Sequence, residues 1–275
     1  MKFALVNGNK TEATKGARGV CPNCSSEVIA KCGKKKVNHW AHKGNRNCDQ
    51  WKEAETEWHR SWKMNYPIEW QEVSLTNEKT GEKHIADIRT EHGLVIEFQH
   101  SYLDPLERTS REDFYKNMVW VADGTRLKRD YPRFYRAIND FIKTEKKGIY
   151  LVDYPEEVFP SDWIESKVPV IFDFKGLEVL DDTNDIRNQL FCLLPLRHGR
   201  YAVLAIIPRK AFLKTTLNGE WSSRVRNFIE NIIHSKQGPE SQKAPRQQPK
   251  MQVRRSEPTH YYDPRKRRFK KRWRF

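Results

Sequence analysis

The spacing of apolar and polar positions changes several times along the chain, and each change marks an element. Glu53–Lys63 (EAETEWHRSWK) holds no Gly or Pro and sets Trp58 and Trp62 four apart, which predicts a helix that Pro67 closes. Ile68–Leu75, Glu82–Arg89 and Leu94–Gln99 read as three strands, the last two joined by a turn containing Gly93, as a hairpin requires. Asp104-Pro105 opens a helix running to Asn117, Met118–Ala122 (MVWVA) is a buried strand, and Tyr131–Lys143 is an amphipathic helix. Helix, meander, helix, strand, helix predicts a mixed α/β unit over residues 53–145, with a core sheet flanked by helices. The runs YLVDY, VPVIFDF and YAVLAIIP make residues 146–234 a β-rich extension of that core. Residues 1–52, rich in Cys, His, Gly and Lys, form a small separate module. From 235 to 275 periodicity gives way to Gln, Pro, Ser and basic residues, which predicts a disordered basic tail.

Composition sharpens this division. Of the 275 residues 12% are aromatic, enough for a real core. No stretch reaches the roughly 20 apolar residues of a membrane span, and the first residues hold no apolar run of signal-peptide length, so a cytoplasmic protein without a membrane partner is expected. The net charge of +15 is unevenly placed. Residues 236–275 hold 14 Lys or Arg against 3 Asp or Glu, a surplus of 11 that leaves +4 for the rest of the chain. A polycation of that density suits a polyanion, nucleic acid first. At its end, Arg265, Lys266, Arg267, Arg268, Lys270, Lys271, Arg272 and Arg274 alternate with Phe269, Trp273 and Phe275. Cations for phosphates and rings for bases predict DNA binding without a sequence code.

The five cysteines are an odd number without a secretory signal, which argues against a disulfide framework. Four of them fall within 28 residues as CPNC, then HWAH, then a further Cys. Thiolates separated by two residues grip one metal from a tight turn, so Cys21, Cys24, His42 and Cys48 are the expected structural Zn2+ ligands. His39 is the alternative third ligand, since two His three apart in a strand cannot share a face. KCGKKK (Lys31–Lys36) reads as a hairpin tip, and Cys32 and Cys192 as ordinary cysteines.

A second constellation is acidic. Asp87 lies between Ile85, Ala86 and Ile88, and Glu97 interrupts the run LVIEF. These are costly places for unpaired charges. The hairpin brings Asp87 beside Glu97, with Gln99 on the same strand face. Two such carboxylates repel unless a cation sits between them, which predicts an oxygen-ligated Mg2+ or Mn2+ site. Glu55, His59 and Lys63, four apart on the expected helix, would share one face beside it.

These pieces, CPNC, HWAH, ETEWHRSWK, HIADI, VIEFQHS and ERTSREDFYKNMVWVADG, come in an order that resembles the competence protein CoiA-like nuclease family, a branch of the PD-(D/E)XK nucleases, over about residues 20–124. The resemblance implies a metal-dependent DNA endonuclease, a phosphodiester hydrolase that processes incoming or foreign DNA. It places the helix motif on Glu55, His59 and Lys63 and the acidic strand pair on Asp87 and Glu97, with Gln99 where the fold's signature has Lys. Asp87 and Glu97 would then hold magnesium, Gln99 would orient a water, and Glu55 (or Glu57) would complete the site. His59, Lys63 and His84 are candidate phosphate contacts or proton carriers. Arg108, Arg111 and Tyr115 on the following helix are candidate contacts to DNA phosphates. The alternative is a non-catalytic nucleic-acid-binding protein on a degenerate nuclease fold.

Overall fold

The computed structural model describes residues 1–34, 36–44, 48, 49, 51 and 53–235, with the backbone of two short strands further on. The chain forms two compact units, Met1–Asn231 and Ile232–Phe275.

The first unit begins with β1 (Phe3–Val6), β2 (Asn9–Glu12), β3 (Arg18–Val20), β4 (Glu27–Lys31) and β5 (His39–His42), in the sheet order β2-β1-β3-β4-β5. The sheet curls until the Trp40 N–H donates to Met1 O at 2.9 Å. Met1, Ala4, Ala13, Cys21, Val28 and Trp40 fill its core. β4 and β5 pair antiparallel from Val28 opposite His42 to Lys31 opposite His39, which puts the basic KCGKKK stretch at the hairpin tip.

The next elements are α1 (Glu57–Lys63), β6 (Gln71–Thr76), β7 (Lys83–Arg89), β8 (Val95–Gln99), α2 (Pro105–Tyr115), β9 (Met118–Asp123) and α3 (Asp130–Ala137). They are followed by β10 (Ile142–Lys143), β11 (Ile149–Val152), α4 (Pro155–Val158), β12 (Val170–Asp173), β13 (Gln189–His198), β14 (Tyr201–Pro208), α5 (Arg209–Leu217) and α6 (Glu220–Ser235). Nine strands form one sheet in the order β10-β11-β14-β13-β12-β9-β8-β7-β6. β8, β9 and β12 run parallel and the other neighbours antiparallel. Parallel neighbours need a crossover, and α2 supplies the one between β8 and β9. Phe134 of α3 packs with Phe172, Phe174 and Phe191 in the main core. Against other strand residues, Trp62 of α1 stacks on Phe98 and meets Phe212 of α5 edge-on. The indole N–H groups of Trp58 and Trp62 both donate to Asp173 Oδ2, at 3.1 and 3.0 Å, tying α1 to β12.

Several expected boundaries move. The first helix starts at Glu57, because Thr56 caps it and closes a capping box with His59. Ile68–Trp70 forms a 3-10 turn after Pro67, so β6 begins only at Gln71. The helix expected over Tyr131–Lys143 stops at Ala137, a 3-10 turn follows, and Ile142 and Lys143 pair instead with Leu151 and Tyr150. Residues 146–234 extend the same sheet but end in the helices α5 and α6. Trp221, Val225, Phe228, Ile229 and Ile232 recur at helical spacing there, a signal that the apolar run before them hid.

In the second unit β15 (His260–Asp263) pairs antiparallel with β16 (Arg268–Lys271). The expectation of a disordered tail is corrected at these residues: Tyr261, Tyr262 and Phe269 favour strands, which basic composition conceals. Arg265, Lys266, Arg267, Arg272 and Arg274 lie outside the described residues, and Arg268, Lys270 and Lys271 lie on β16.

Candidate metal centres

Ligand atoms of Cys21, Cys24, His42 and Cys48 lie within 4.8 Å of one another. Cys21 and Cys24 come from the turn before β4, His42 from the end of β5, and Cys48 from the segment beyond it. Two sulfurs about 2.3 Å from one tetrahedral ion stand roughly 3.8 Å apart. Cys21 Sγ and Cys48 Sγ are 3.7 Å apart, and Cys24 Sγ lies 3.3 Å from His42 Nε2. Burial and the Cys21 thiol push Cys48 up to about 12, so the cluster cannot hold three thiolates without a cation. The donor set and spacing fit zinc. Strand alternation decides between the histidines: His42 joins the cluster, while His39 Nδ1 turns to Val37 O at 2.8 Å. Cys32 contacts Ala13 O, and Cys192 is buried in β13.

The acidic residues meet where β7 and β8 part. The ladder holds at Arg89 opposite Val95 and Ile88 opposite Ile96. At the next residue each strand's carboxylate takes the other's amide: Asp87 N–H donates to Glu97 Oε1 at 3.1 Å, and Phe98 N–H donates to Asp87 Oδ2 at 3.0 Å. The gap opens into a cavity of about 50 Å3 lined by six carboxylates (Asp49, Glu53, Glu55, Glu72, Asp87 and Glu97) and by Lys63, Arg111 and His59.

Lys63 is buried at the end of α1, and its ammonium lies 2.8 Å from Asp87, 3.2 Å from Glu55 and 3.3 Å from Glu72. An ammonium has three protons, and these carboxylates take them all. They hold Lys63 well above its ordinary range despite burial. Glu72 lies between the β6–β7 pairs Gln71–Ile88 and Val73–Ala86 with φ 48°, a left-handed conformation rare for a side chain of its size. Its carboxylate also accepts the Lys2 and Phe3 amides at 2.7 and 2.9 Å. Burial and the Asp87 charge push Glu97 up to about 8, against the opposing pull of Arg111, at 3.5 Å, and of the Asp87 amide.

Glu55, His59, Lys63, Asp87 and Glu97 therefore line one cavity. The helical ladder expected for the first three is corrected, because Glu55 precedes the cap of α1 and reaches Lys63 from extended chain. The Thr56 N–H donates to His59 Nδ1 at 3.2 Å, so the ring proton sits on Nε2, near Phe98 O and Glu53. Both ring nitrogens of His59 are thus tied into the scaffold. Gln99 is not brought into the cavity: its Nε2 turns to Ser101, and it lines a small neighbouring space. His84 lies between Asp49 (2.9 Å) and Glu82 (2.7 Å), stacked on Trp51.

Two expected phosphate contacts are corrected. Arg108 is buried and donates to Glu112 at 3.2 Å, and Arg111 is buried between Glu97, Glu107 and Trp51 O. Both face carboxylates rather than solvent, Arg108 one on its own helix and Arg111 one on β8 as well. Tyr115 packs edge-on against Trp51 and Phe114. Sequence reading missed Asp49, Glu53 and Glu72. Their carboxylates accept backbone amides far along the chain, a role no local pattern marks.

Residues 6–50 match the family described as "Competence protein CoiA, N-terminal domain". The chain is 28% identical over 147 residues to the "Competence protein CoiA" of Bacillus subtilis (strain 168), a match covering 49% of this chain and 39% of that protein. The chain is CoiA-like. It spans less than half the length of that curated relative, and no solved structure matches it. Among the described residues no helix is long and apolar enough to cross a membrane.

Proposed function

We propose that this CoiA-like chain is a metal-dependent DNA endonuclease with a PD-(D/E)XK-like core, acting on incoming or foreign DNA. The observation that carries the reading is the Asp87–Glu97 pair, two carboxylates cross-capping a parted hairpin at the mouth of a water-sized, carboxylate-lined cavity. The order α1, β6-β7-β8 meander, α2, then parallel β9 supports the core assignment. The donors are all oxygen, which fits Mg2+ or Mn2+, and buried Glu55 Oε1 has no hydrogen-bond partner. Asp87, Glu97 and Glu55 would hold the ion. When bound, it would supply a Lewis acid for the phosphoryl oxygen and a lowered pKa for a bound water.

The chain's own residues do the rest. Lys63 balances Asp87, Glu55 and Glu72 and keeps Asp87 aimed at the cavity. Glu97 would hold a cation in its ionised form, and Arg111 fixes its second oxygen. Gln99 would have to turn from Ser101 to orient water. The basic tail would grip phosphates without reading sequence, and a chain ended at His234 should show a shallower fall of log affinity with log salt. The test is cutting of plasmid and single-stranded DNA with magnesium or manganese, stopped by chelator and lost in Asp87→Asn. One observation favours the second reading, a non-catalytic DNA-binding protein: the Lys63 ammonium already lies 2.8 Å from Asp87. Binding without cutting under every divalent condition would decide for it.

A further inference from the structure

We infer that Asp49 is a positioning residue through which the Cys/His cluster sets the shape of the acidic cavity. Cys48, a cluster member, is the residue before Asp49. The knuckle grips this segment, since Asn23, between Cys21 and Cys24, donates to Cys48 O at 3.0 Å and accepts from Ser74 of β6. Asp49 is buried. Its Oδ2 accepts the Ile85 amide at 2.8 Å, and its Oδ1 faces His84 Nδ1 at 2.9 Å and accepts the Trp51 amide at 3.0 Å.

The Ile85 contact falls where β8 has parted from β7. There Asp49 takes the place of a strand partner, two residues before Asp87. A second route runs through Trp51. Its ring stacks on His84 with centroids 3.2 Å apart, and its carbonyl accepts from Arg111, which reaches Glu97. Both carboxylates of the pair are thus aligned from a segment that begins at a cluster ligand. Released from the cluster, that segment loses its anchor at Cys48, and the Ile85 amide on the β8 side of β7 loses the support behind its acceptor.

The inference rests on the reading of the cavity as a cation site, and the experiment separates the two. Full-length protein is prepared zinc-loaded and zinc-stripped, as wild type and as Asp49→Asn. Manganese affinity is read by electron paramagnetic resonance and the Ile85 amide by hydrogen exchange. Manganese is the probe because thiolate sites take it poorly. Stripping wild type should weaken manganese binding about tenfold or more, as loss of an outer-shell partner does, and speed Ile85 exchange. Zinc-loaded Asp49→Asn should keep its zinc yet show both changes, and stripping it should add little, since coupled perturbations are not additive. Unchanged affinity and exchange in stripped wild type would overturn the inference. So would additive losses, which would make Asp49 a direct ligand independent of zinc. If zinc-loaded wild type takes up no manganese, the cavity reading fails, and Ile85 exchange alone decides the coupling.

Discussion

The Cys/His cluster and the acidic cavity lie within the same compact unit, yet their donors are balanced in opposite ways. In the cluster, thiol faces thiol at 3.7 Å, and among the described residues no Lys or Arg is hydrogen-bonded to the four ligands. In the cavity, Asp87, Glu55 and Glu72 share Lys63, Glu97 meets Arg111, and backbone amides cap the oxygens left over. A metal required for folding can leave its ligands without other counter-charges, because the ion is always there. A metal that comes and goes needs a site the protein can fold without, and the cavity is built that way.

The largest expected effect breaks the first half of this contrast. Cys21→Ser with Cys24→Ser should abolish zinc binding and, because that binding contributes of order 10 kcal/mol to folding in small modules, unfold the β1–β5 sheet. Elemental analysis and hydrogen exchange over residues 1–44 would show it. A well-protected, zinc-free double variant would make the cluster dispensable. The same treatment should have no counterpart in the cavity, where chelating magnesium should leave the fold intact.

Next comes the cavity's internal balance. Lys63→Met leaves three carboxylates, those of Glu55 and Glu72 buried and that of Asp87 partly exposed, without their shared cation, and breaking a buried pair this way costs about 3–5 kcal/mol. Denaturant unfolding of metal-free protein measures it. Added manganese should restore part of the loss if a cation can stand in for the ammonium. For catalysis, Asp87→Asn should keep the fold but lose about a hundredfold or more in cutting rate, roughly 3 kcal/mol of barrier. Normal cutting by this variant would remove the assignment of the pair.

Local pattern made the cluster readable, because two thiols with two residues between them and a histidine of the right strand parity are short-range facts. It also marked Asp87 and Glu97, since a charge inside an apolar strand needs an explanation. What it could not show is how those charges are balanced. Glu72 reads as an ordinary strand carboxylate, yet with a left-handed backbone, φ 48°, it meets Lys63 and the amides of residues 2 and 3. Arg108 and Arg111 read as phosphate contacts on a polar helix, yet both are buried against Glu112 and Glu97. Gln99 has the right strand parity, yet hydrogen bonds to Ser101 take its amide elsewhere.

The smallest expected effect sharpens the contrast through protons. Burial and Asp87 hold the Glu97 carboxyl up at about 8, so near neutrality the folded protein keeps a proton that the unfolded chain has released. For a group raised in this direction, the stability it contributes is complete below the ordinary carboxylate range and is lost as pH rises toward the folded value. Metal-free wild type should therefore lose stability relative to Glu97→Gln between about pH 5 and pH 8, since glutamine has no proton to release. Asp87→Asn should lessen this dependence without removing it, because burial, the larger cause, remains. Saturating manganese should flatten the wild-type curve, since a cation beside Glu97 favours the ionised form that burial opposes. Denaturant unfolding of the three proteins at both pH values, with and without manganese, is the measurement. Parallel wild-type and Glu97→Gln curves would mean that Arg111 alone keeps Glu97 ionised. The cavity would then have no unmet negative charge at that position for a cation to answer.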